Sequence, residues 1–122
     1  MIKFVALLYR KPGMTREEFR RHYDTSHVPL VKGLMGDNLM HYIRNYTTDA
    51  STEFPVGVPP EFDCITEFHY KDMAAFKRAV AAIEDPKNAP LVRADEKRFL
   101  DVDRVQMAIV EVADNTDGKT PS

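Results

Sequence analysis

The pattern of hydrophobic and polar positions predicts four short strands along the chain. Residues 2–9 form a nearly continuous apolar run that ends at RKPG, which is typical of a strand covered on both faces. Apolar and polar side chains alternate over residues 39–46 and again over residues 62–70, the period of a strand with two different faces. The last apolar segment, residues 102–112, is predicted to be the fourth strand.

A helical region is predicted after the first strand. Thr15 followed by Glu18 is a capping box, which marks the start of a helix. Because Pro29 disfavours helical geometry at the residue before it, this helix is expected to end or bend near His27. The sequence HYDTSHVPLVKG would then be a helix end that carries two histidines, a tyrosine and an aspartate.

A second helical region is predicted after the third strand. Asp72 is expected to cap a helix that continues to about Ile83. The spacing of Met73, Phe76, Lys77 and Val80 predicts one helical stripe. A shorter helical segment is expected over residues 91–99, after the helix-breaking sequence EDPKNAP.

Two further segments are predicted to lack regular structure. Residues 47–60 contain three prolines, one glycine and several small polar residues, which predicts a loop long enough to act as a lid. The sequence DNTDGKTPS near the C-terminus has no apolar residue to anchor it. Residues 1–112 are therefore predicted to form one domain, and residues 113–122 a flexible tail.

The order of these elements is βαββαβ, which predicts an α+β fold of the ferredoxin-like type. In that arrangement one antiparallel sheet carries both helical regions on a single face. The other face of the predicted sheet also has apolar and aromatic side chains, and soluble proteins usually bury such a surface. We therefore expect a homodimer in which two sheets pack face to face and form a dimeric α/β barrel.

Composition and charge narrow the class of protein. The chain has 122 residues, of which 43% are hydrophobic, and this is enough for one domain with a real core. Its 17 basic and 19 acidic residues are dispersed and give a net charge of -2, so neither nucleic acid nor an anionic membrane is an expected partner. No apolar run approaches the roughly 20 residues that cross a bilayer.

The single cysteine and the N-terminal sequence predict the compartment. One cysteine cannot form an intramolecular disulfide. The apolar opening MIKFVALLY is too short, and too soon followed by charge, to be a signal peptide. A cytoplasmic location is therefore expected.

Three quoted segments carry a resemblance to a known family. They are IKFVALLYRKPGMTREEFRRHYDTSHVPLVKGL, with its H-x-P ending, then FDCITEFHYKDMAAFKRAV, and finally RADEKRFLDVDRVQMAIVEV. In order and spacing they resemble the EthD-type proteins of the dimeric α/β barrel superfamily. Some EthD-type proteins are labelled reductases, and the superfamily includes lactone isomerases, polyketide cyclases, decarboxylases and cofactor-independent monooxygenases. The resemblance thus implies the fold but does not choose the reaction.

The resemblance also implies where the site lies. His27 matches the histidine of the H-x-P ending and is expected at the mouth of a pocket between the helices and the sheet. Asp95 and Glu96 match the acidic pair of the family. Cys64 stands where a small residue such as glycine is usual, and DVDRVQ replaces a segment that is often rich in serine. Both departures are expected to alter the pocket wall.

His27 is the first candidate for an acid/base residue. An imidazole has an ordinary pKa of about 6.5 and can donate or accept a proton near neutrality. A position at a helix end favours the charged ring, whereas burial favours the neutral ring, and the sequence leaves both open. The alternative is a histidine that only caps the last helical carbonyls. Asp95 is a candidate for a carboxylate that orients this ring, with a surface ion pair as its alternative.

Strand residues supply the remaining candidates. Glu67 and His69 are two residues apart on a strand, so they share a face and could share a proton or hold a polar ligand. A cross-strand pair in the dimer interface is the alternative, and we favour it. The candidates for substrate contacts are Tyr9, Tyr42, Arg44, Tyr46 and His69. Simple packing of the tyrosines and surface ion pairing of the arginine are the alternatives.

No metal or organic cofactor is predicted. His22 and His27 are five residues apart, about 140° around an α-helix, so they do not form the usual two-histidine metal face. Cys64 has no activating neighbour in the sequence and is expected to pack in the core. No glycine-rich fingerprint for phosphate or a dinucleotide is present.

Three functions are consistent with these features. The first is a cofactor-free enzyme of the lyase, cyclase or isomerase type, in which His27 moves protons on a small carbonyl, lactone, polyketide-like or aromatic compound. The second is an EthD-type oxidoreductase or a cofactor-free monooxygenase that acts on an electron-rich small molecule in catabolism. The third is an accessory protein that binds a small molecule without turnover.

Overall fold

The computed structural model describes residues 1–53 and 55–114 as an α+β fold built on one four-stranded sheet. The strands are β1 (Ile2–Leu8), β2 (His41–Tyr46), β3 (Cys64–Tyr70) and β4 (Gln106–Val110). Their order in the sheet is β2-β3-β1-β4, and each neighbouring pair is antiparallel. This is the ferredoxin-like arrangement, so the predicted fold is confirmed.

Each of the two crossovers in this sheet contains a pair of α-helices. They are α1 (Arg16–His22), α2 (Val28–Met35), α3 (Met73–Glu84) and α4 (Ala89–Phe99). Short 3₁₀ turns occupy Gly36–Asn38, Asp49–Glu53 and Val102–Arg104. The last of these turns delays the start of β4 until Gln106, four residues later than the sequence predicts.

Both predicted helix starts are confirmed by their capping hydrogen bonds. The Thr15 hydroxyl accepts a bond of 3.1 Å from the backbone N–H of Glu18, whose carboxylate accepts one of 2.9 Å from the N–H of Thr15. At the start of α3 the Asp72 carboxylate accepts a 2.8 Å bond from the N–H of Ala75. These bonds satisfy donors that have no partner within the helix.

The helical region that was predicted to end or bend near His27 does not end there, but it changes its type of helix at this point. The chain makes a π-helical turn over Tyr23–His27 and continues directly into α2. In this wider turn the N–H of Val28 bonds to the carbonyl of Tyr23, five residues earlier. Pro29 falls in the first turn of α2, where a missing N–H is tolerated. The proline therefore marks a change of helical register and not the end of the helix.

The core lies between the helices and one face of the sheet, in two adjoining clusters. The first cluster contains Ala6, Leu8, Phe19, Tyr23, Val28, Cys64, Phe99 and Leu100. The second contains Val31, Met35, Tyr70, Ala75, Ala79, Ile83 and Val92. Together they anchor every α-helix to the sheet.

The buried stripe of α3 differs from the predicted one. Ala75, Ala79 and Ile83 are buried, whereas Met73 and Val80 are 40% and 39% exposed. Small alanines at a spacing of four let α3 pack closely on α2 and the sheet. Of the predicted stripe, Phe76 packs against the second cluster, but the three buried residues were not predicted.

The face of the sheet that points away from the helices is only partly covered in the part of the chain that the structure describes. Its apolar side chains include Val5, Leu7 and Ile65, which are half-buried, and Ile43, which is 39% exposed. The predicted homodimer would cover this face. The predicted tail lies almost wholly in residues 115–122, outside the described residues.

We predict that Phe99→Ala destabilises the fold by about 3–5 kcal/mol, because it leaves a cavity under both crossovers. Phe99 has no exposed surface, and its ring centroid lies 5.0 Å from those of both His22 and His27. Leu91→Ala on the same helix is the control, since Leu91 is 58% exposed. Urea unfolding should show a change within about 0.5 kcal/mol for this control. Equal losses in the two variants would contradict the proposed packing.

Candidate active site

Two adjoining cavities lie between the helices and the sheet. The first has a volume of about 310 Å³ and the second of about 320 Å³. Six residues line both of them, namely Phe4, His27, Phe68, Arg93, Glu96 and Met107. Such volumes and largely apolar walls with a few polar groups are typical of small-molecule sites.

His27 is the buried histidine of these cavities. It is 7% exposed, and its Nδ1 lies 2.9 Å from Oδ2 of Asp95 on α4. Burial lowers the pKa of His27 below its ordinary value, although the bond to Asp95 and the charge of Glu96 act in the opposite direction. The ring is therefore neutral near pH 7, which answers the question that the sequence left open between burial and the helix dipole.

Asp95 is a buried carboxylate with an unusually full set of donors. It is 2% exposed, and burial alone would raise its pKa. Hydrogen bonds from Ser26 and the two histidines outweigh burial and hold the pKa of Asp95 below its ordinary value. The distances to Oδ1 are 3.0 Å from His22 Nε2, 2.8 Å from Ser26 Oγ and 3.3 Å from an Arg98 guanidinium nitrogen.

This pairing fixes the tautomer of His27. An ionised carboxylate can only accept hydrogen bonds, so Nδ1 of the neutral ring must carry the proton that it donates to Asp95. Nε2 is then the unprotonated nitrogen of a ring that lines both cavities. A nitrogen in this state can accept a proton from a bound molecule.

The π-helical turn explains why His22 and His27 meet at one carboxylate. In an α-helix two residues five apart would diverge by about 140°. A π turn closes its hydrogen bonds over five residues, so positions i and i+5 come onto one face. The sequence argument about the direction of these two side chains was therefore wrong. Within residues 1–53 and 55–114, no group of three or more His, Cys, Asp or Glu residues is arranged to hold a metal ion.

A chain of hydroxyl groups lies on the sheet side of the first cavity. Tyr42 donates a 3.0 Å bond to the hydroxyl of Tyr23, whose oxygen lies 2.7 Å from that of Thr66. Burial raises the pKa of both tyrosines well above the ordinary value. Both phenols therefore stay protonated, and Tyr42 lies at the cavity where a substrate contact was predicted.

Three other predicted contacts, Tyr9, Arg44 and Tyr46, lie outside the two cavities. Arg44 donates a 3.1 Å bond to Asp24, and the hydroxyl of Tyr46 donates to the same carboxylate oxygen. Tyr9 lies beneath the guanidinium of Arg104, which is 4.1 Å from the ring centroid. Cys64 is buried with a thiol pKa raised to about 11 by burial, as expected for a packing role.

Glu67 and His69 are on the opposite face of the sheet from His27. Glu67 is 2.8 Å from the Lys3 ammonium and from the Asn45 amide, and these bonds lower its pKa to about 2. His69 Nε2 lies 3.2 Å from the same carboxylate. The structure does not bring either residue to His27, because strand alternation turns both away from the helices. Glu67 and His69 therefore form a pair apart from the His27 site, and the favoured alternative, a role in the dimer interface, stays a prediction.

Sequence reasoning missed several members of the site. His22 and Ser26 were not recognised as partners of Asp95, because their alignment depends on the π turn. Arg93 carries no motif, and its guanidinium lies 2.9 Å from Glu96. No local sequence signal marks the alignment of His22 and Ser26, because it depends on hydrogen bonds that close over five residues.

The chain thus has a small α+β fold of the ferredoxin-like class, with a buried histidine–aspartate pair beside two cavities. The sequence matches the EthD domain family over residues 11–103. The chain belongs to the EthD domain family, so the predicted resemblance is confirmed.

Relatives in this family have names that describe small-molecule enzymes. A conidial pigment biosynthesis dehydratase EthD from Metarhizium robertsii is 33% identical over 111 residues, which cover 83% of this chain and 75% of that protein. The decarboxylase claH of Passalora fulva is 28% identical over 109 residues, which cover 83% of this chain and 69% of that protein.

Solved structures support the fold. An EthD family protein from Bacillus halodurans is 20% identical with a TM-score of 0.60, over 92% of this chain and 99% of that one. SnoaB, a cofactor-independent oxygenase from Streptomyces nogalater, is 10% identical with a TM-score of 0.60, over 94% and 95% of the two chains. A protein from Thermobifida fusca, described as dimeric and ferredoxin-like, is 11% identical with a TM-score of 0.58, over 91% and 90%. At these identities the likeness shows the fold alone.

Among the described residues, no helix has the length and apolar character needed to cross a bilayer. The cytoplasmic location stays a prediction.

We predict that His27 makes the folded protein less stable as the pH falls below about 6.5. The unfolded chain takes up the proton at this ordinary pKa, whereas the folded chain resists it, so the free energy of unfolding falls until the folded pKa is reached. The slope from this one group is at most about 1.4 kcal/mol per pH unit.

Urea unfolding between pH 7.5 and 5.5 measures this slope. His27→Gln should flatten it, and His41→Gln, an exposed residue on the other face of the sheet, should leave it unchanged. A slope in His27→Gln equal to that of the unchanged protein would mean that His27 is not held neutral by burial.

Proposed function

We propose that this protein is a cofactor-independent lyase that uses His27 as its acid/base on a small, partly apolar carbonyl or aromatic compound. The observation that carries the proposal is the buried His27 ring, which lines both cavities and whose Nδ1 lies 2.9 Å from the Asp95 carboxylate. A neutral imidazole that is fixed in one tautomer is ready to take a proton.

A dehydration of a β-hydroxy ketone fits this site. Nε2 of His27 removes a proton from the carbon next to the carbonyl, and the electrons of that C–H bond form an enolate. The enolate re-forms the carbonyl and a carbon–carbon double bond as the β-hydroxyl group leaves. The protonated ring returns its proton to the departing oxygen, so water is released and His27 is neutral again. A histidine in such a role typically contributes about 10² to 10⁴-fold of the rate.

The walls of the cavities support a planar, partly apolar substrate. Phe4 and Phe68 lie 5.9 Å apart between ring centroids and line both cavities. The Tyr42 hydroxyl gives its proton to Tyr23, so its oxygen can accept a hydrogen bond from a phenol or hydroxyl group of a bound molecule. The Metarhizium relative, at 33% identity, is named a dehydratase, and this supports the same class of reaction here.

We predict that His27→Ala reduces turnover by about 10² to 10⁴-fold while the fold remains intact. The assay uses a panel of β-hydroxy ketones fused to aromatic rings, with the loss of water followed by mass spectrometry. His41→Ala is the control, because His41 is exposed on the other face of the sheet. Circular dichroism verifies the fold of both variants.

Three outcomes would contradict the lyase assignment. Unchanged turnover in His27→Ala would remove the histidine from the chemistry. Turnover that requires oxygen, and stops under nitrogen, would support the cofactor-free monooxygenase alternative. Ligand binding that survives His27→Ala, without turnover of any compound in the panel, would support the accessory-protein alternative.

We also infer that a second copy of the chain covers the open face of the sheet. Half-buried apolar residues of that face surround Glu67. The Glu67 carboxylate is bonded by Lys3, Asn45 and His69, so the polar groups of this face already have hydrogen-bond partners. A structural neighbour is described as dimeric, which supports the same assembly.

Sedimentation velocity tests this assembly at micromolar concentration. The unchanged protein should sediment as a dimer, and Ile43→Glu should shift it to monomer, because a charge then replaces an apolar residue in the interface. Leu91→Glu on the outer surface of α4 is the matched control and should remain dimeric. A monomeric unchanged protein would contradict the inference.

A further inference from the structure

Glu96 is a second carboxylate at the cavities, and the proposed reaction does not use it. It follows Asp95 on α4 and lines both cavities together with His27. Its side chain is 19% exposed, so water only partly screens its charge. Asp95 bonds to Nδ1 of His27. Glu96 lines the two cavities together with the His27 ring.

The two neighbouring carboxylates differ in how much of their charge is already compensated. Asp95 accepts hydrogen bonds from His22, Ser26, His27 and Arg98. Glu96 is bonded by the guanidinium of Arg93, which also bonds Glu84. One positive charge is therefore shared between two carboxylates, and the group of Glu84, Arg93 and Glu96 keeps a net negative charge beside His27.

We propose that Glu96 is the counter-charge for the imidazolium that His27 becomes during turnover, and that Arg93 limits its strength. The inference rests on the proposed function of His27 as a base. In the proton-transfer step the substrate C–H bond breaks and the N–H bond forms at Nε2, while Glu96 stays ionised and no bond to it changes. Glu96 is thus a positioning residue that acts through charge on His27.

The charged and titratable groups around His27 support this division of roles. Burial lowers the pKa of His27, and the negative charges of Glu96 and Asp95 offset part of that effect. His22 on α1 acts in the same direction as burial. The Tyr23 ring lies 5.8 Å from the His27 ring between centroids, and its phenol stays protonated. Arg93 lines the same cavities as Glu96. Burial favours a base that is free at neutral pH, and Glu96 favours the charged product of the step.

Titration of the His27 ring by NMR tests the proposal without any substrate. The four histidine signals are measured against pH in the full chain, and His27 is assigned from the signal that is missing in His27→Gln. Glu96→Gln should move the midpoint of His27 to lower pH, because a negative charge is lost at similar size. Glu84→Gln is the matched control, since it removes the other partner of Arg93, and its shift should be smaller.

Arg93→Gln provides a test of opposite sign. It leaves both carboxylates without their shared cation, so the midpoint of His27 should move to higher pH. With an active substrate, Glu96→Gln should lower kcat/KM about tenfold, the scale of one charge contact of about 1.4 kcal/mol, and the acid limb of its pH profile should shift to lower pH.

A His27 midpoint that is unchanged in Glu96→Gln, or that moves no further than in Glu84→Gln, would overturn the inference. So would a midpoint that fails to rise in Arg93→Gln. These results are distinguishable from a failure of the proposed function, because that function depends on turnover in His27→Ala and the titration does not. Loss of turnover in His27→Ala together with an unchanged titration in Glu96→Gln would leave the lyase and remove only the role of Glu96.

Discussion

The buried charge of Asp95 is the constraint on which the rest of the site depends. A carboxylate removed from water is costly unless hydrogen bonds replace its hydration, and here His22, Ser26, His27 and Arg98 supply them. Three of these donors come from the first crossover, and Asp95 with Arg98 comes from α4 in the second. Satisfying this one charge therefore joins the two helical layers above the sheet, and it orients His27 in the same contact.

The π-helical turn makes that contact geometrically available. A regular α-helix through Tyr23–His27 would separate the two histidines, whereas the wider turn brings both to one carboxylate. Phe99 packs against both rings from the same helix that carries Asp95. The same hydrogen bond therefore has two effects. It helps to satisfy the buried charge of Asp95, and it holds His27 in the tautomer in which Nε2 is unprotonated.

The sequence predicted what depends on short-range rules and missed what depends on the packing between crossovers. Strand alternation placed Glu67 and His69 on one face of the sheet, and the caps at Thr15 and Asp72 predicted two helix starts. Pro29 was expected to end or bend the helix, because the residue before a proline disfavours helical geometry. Instead the π turn precedes it, and Pro29 lies in the first turn of α2. The π turn also brings His22 to Asp95. The sequence analysis did not predict this contact, because no local sequence pattern indicates hydrogen bonds that close over five residues. The alanine face of α3 was missed since small residues carry little apolar weight until a neighbouring helix approaches them.

The central claim is that burial holds His27 neutral, while the bond to Asp95 keeps the ring proton on Nδ1 and leaves Nε2 unprotonated. Nitrogen-15 NMR of the histidine rings at pH 7 tests this most directly, since the two ring nitrogens have different shifts in each protonation state. We expect His27 to show a protonated Nδ1 and an unprotonated Nε2, and Asp95→Asn to disturb that pattern. A His27 ring that is charged at this pH, or that carries its single proton on Nε2, would contradict the account.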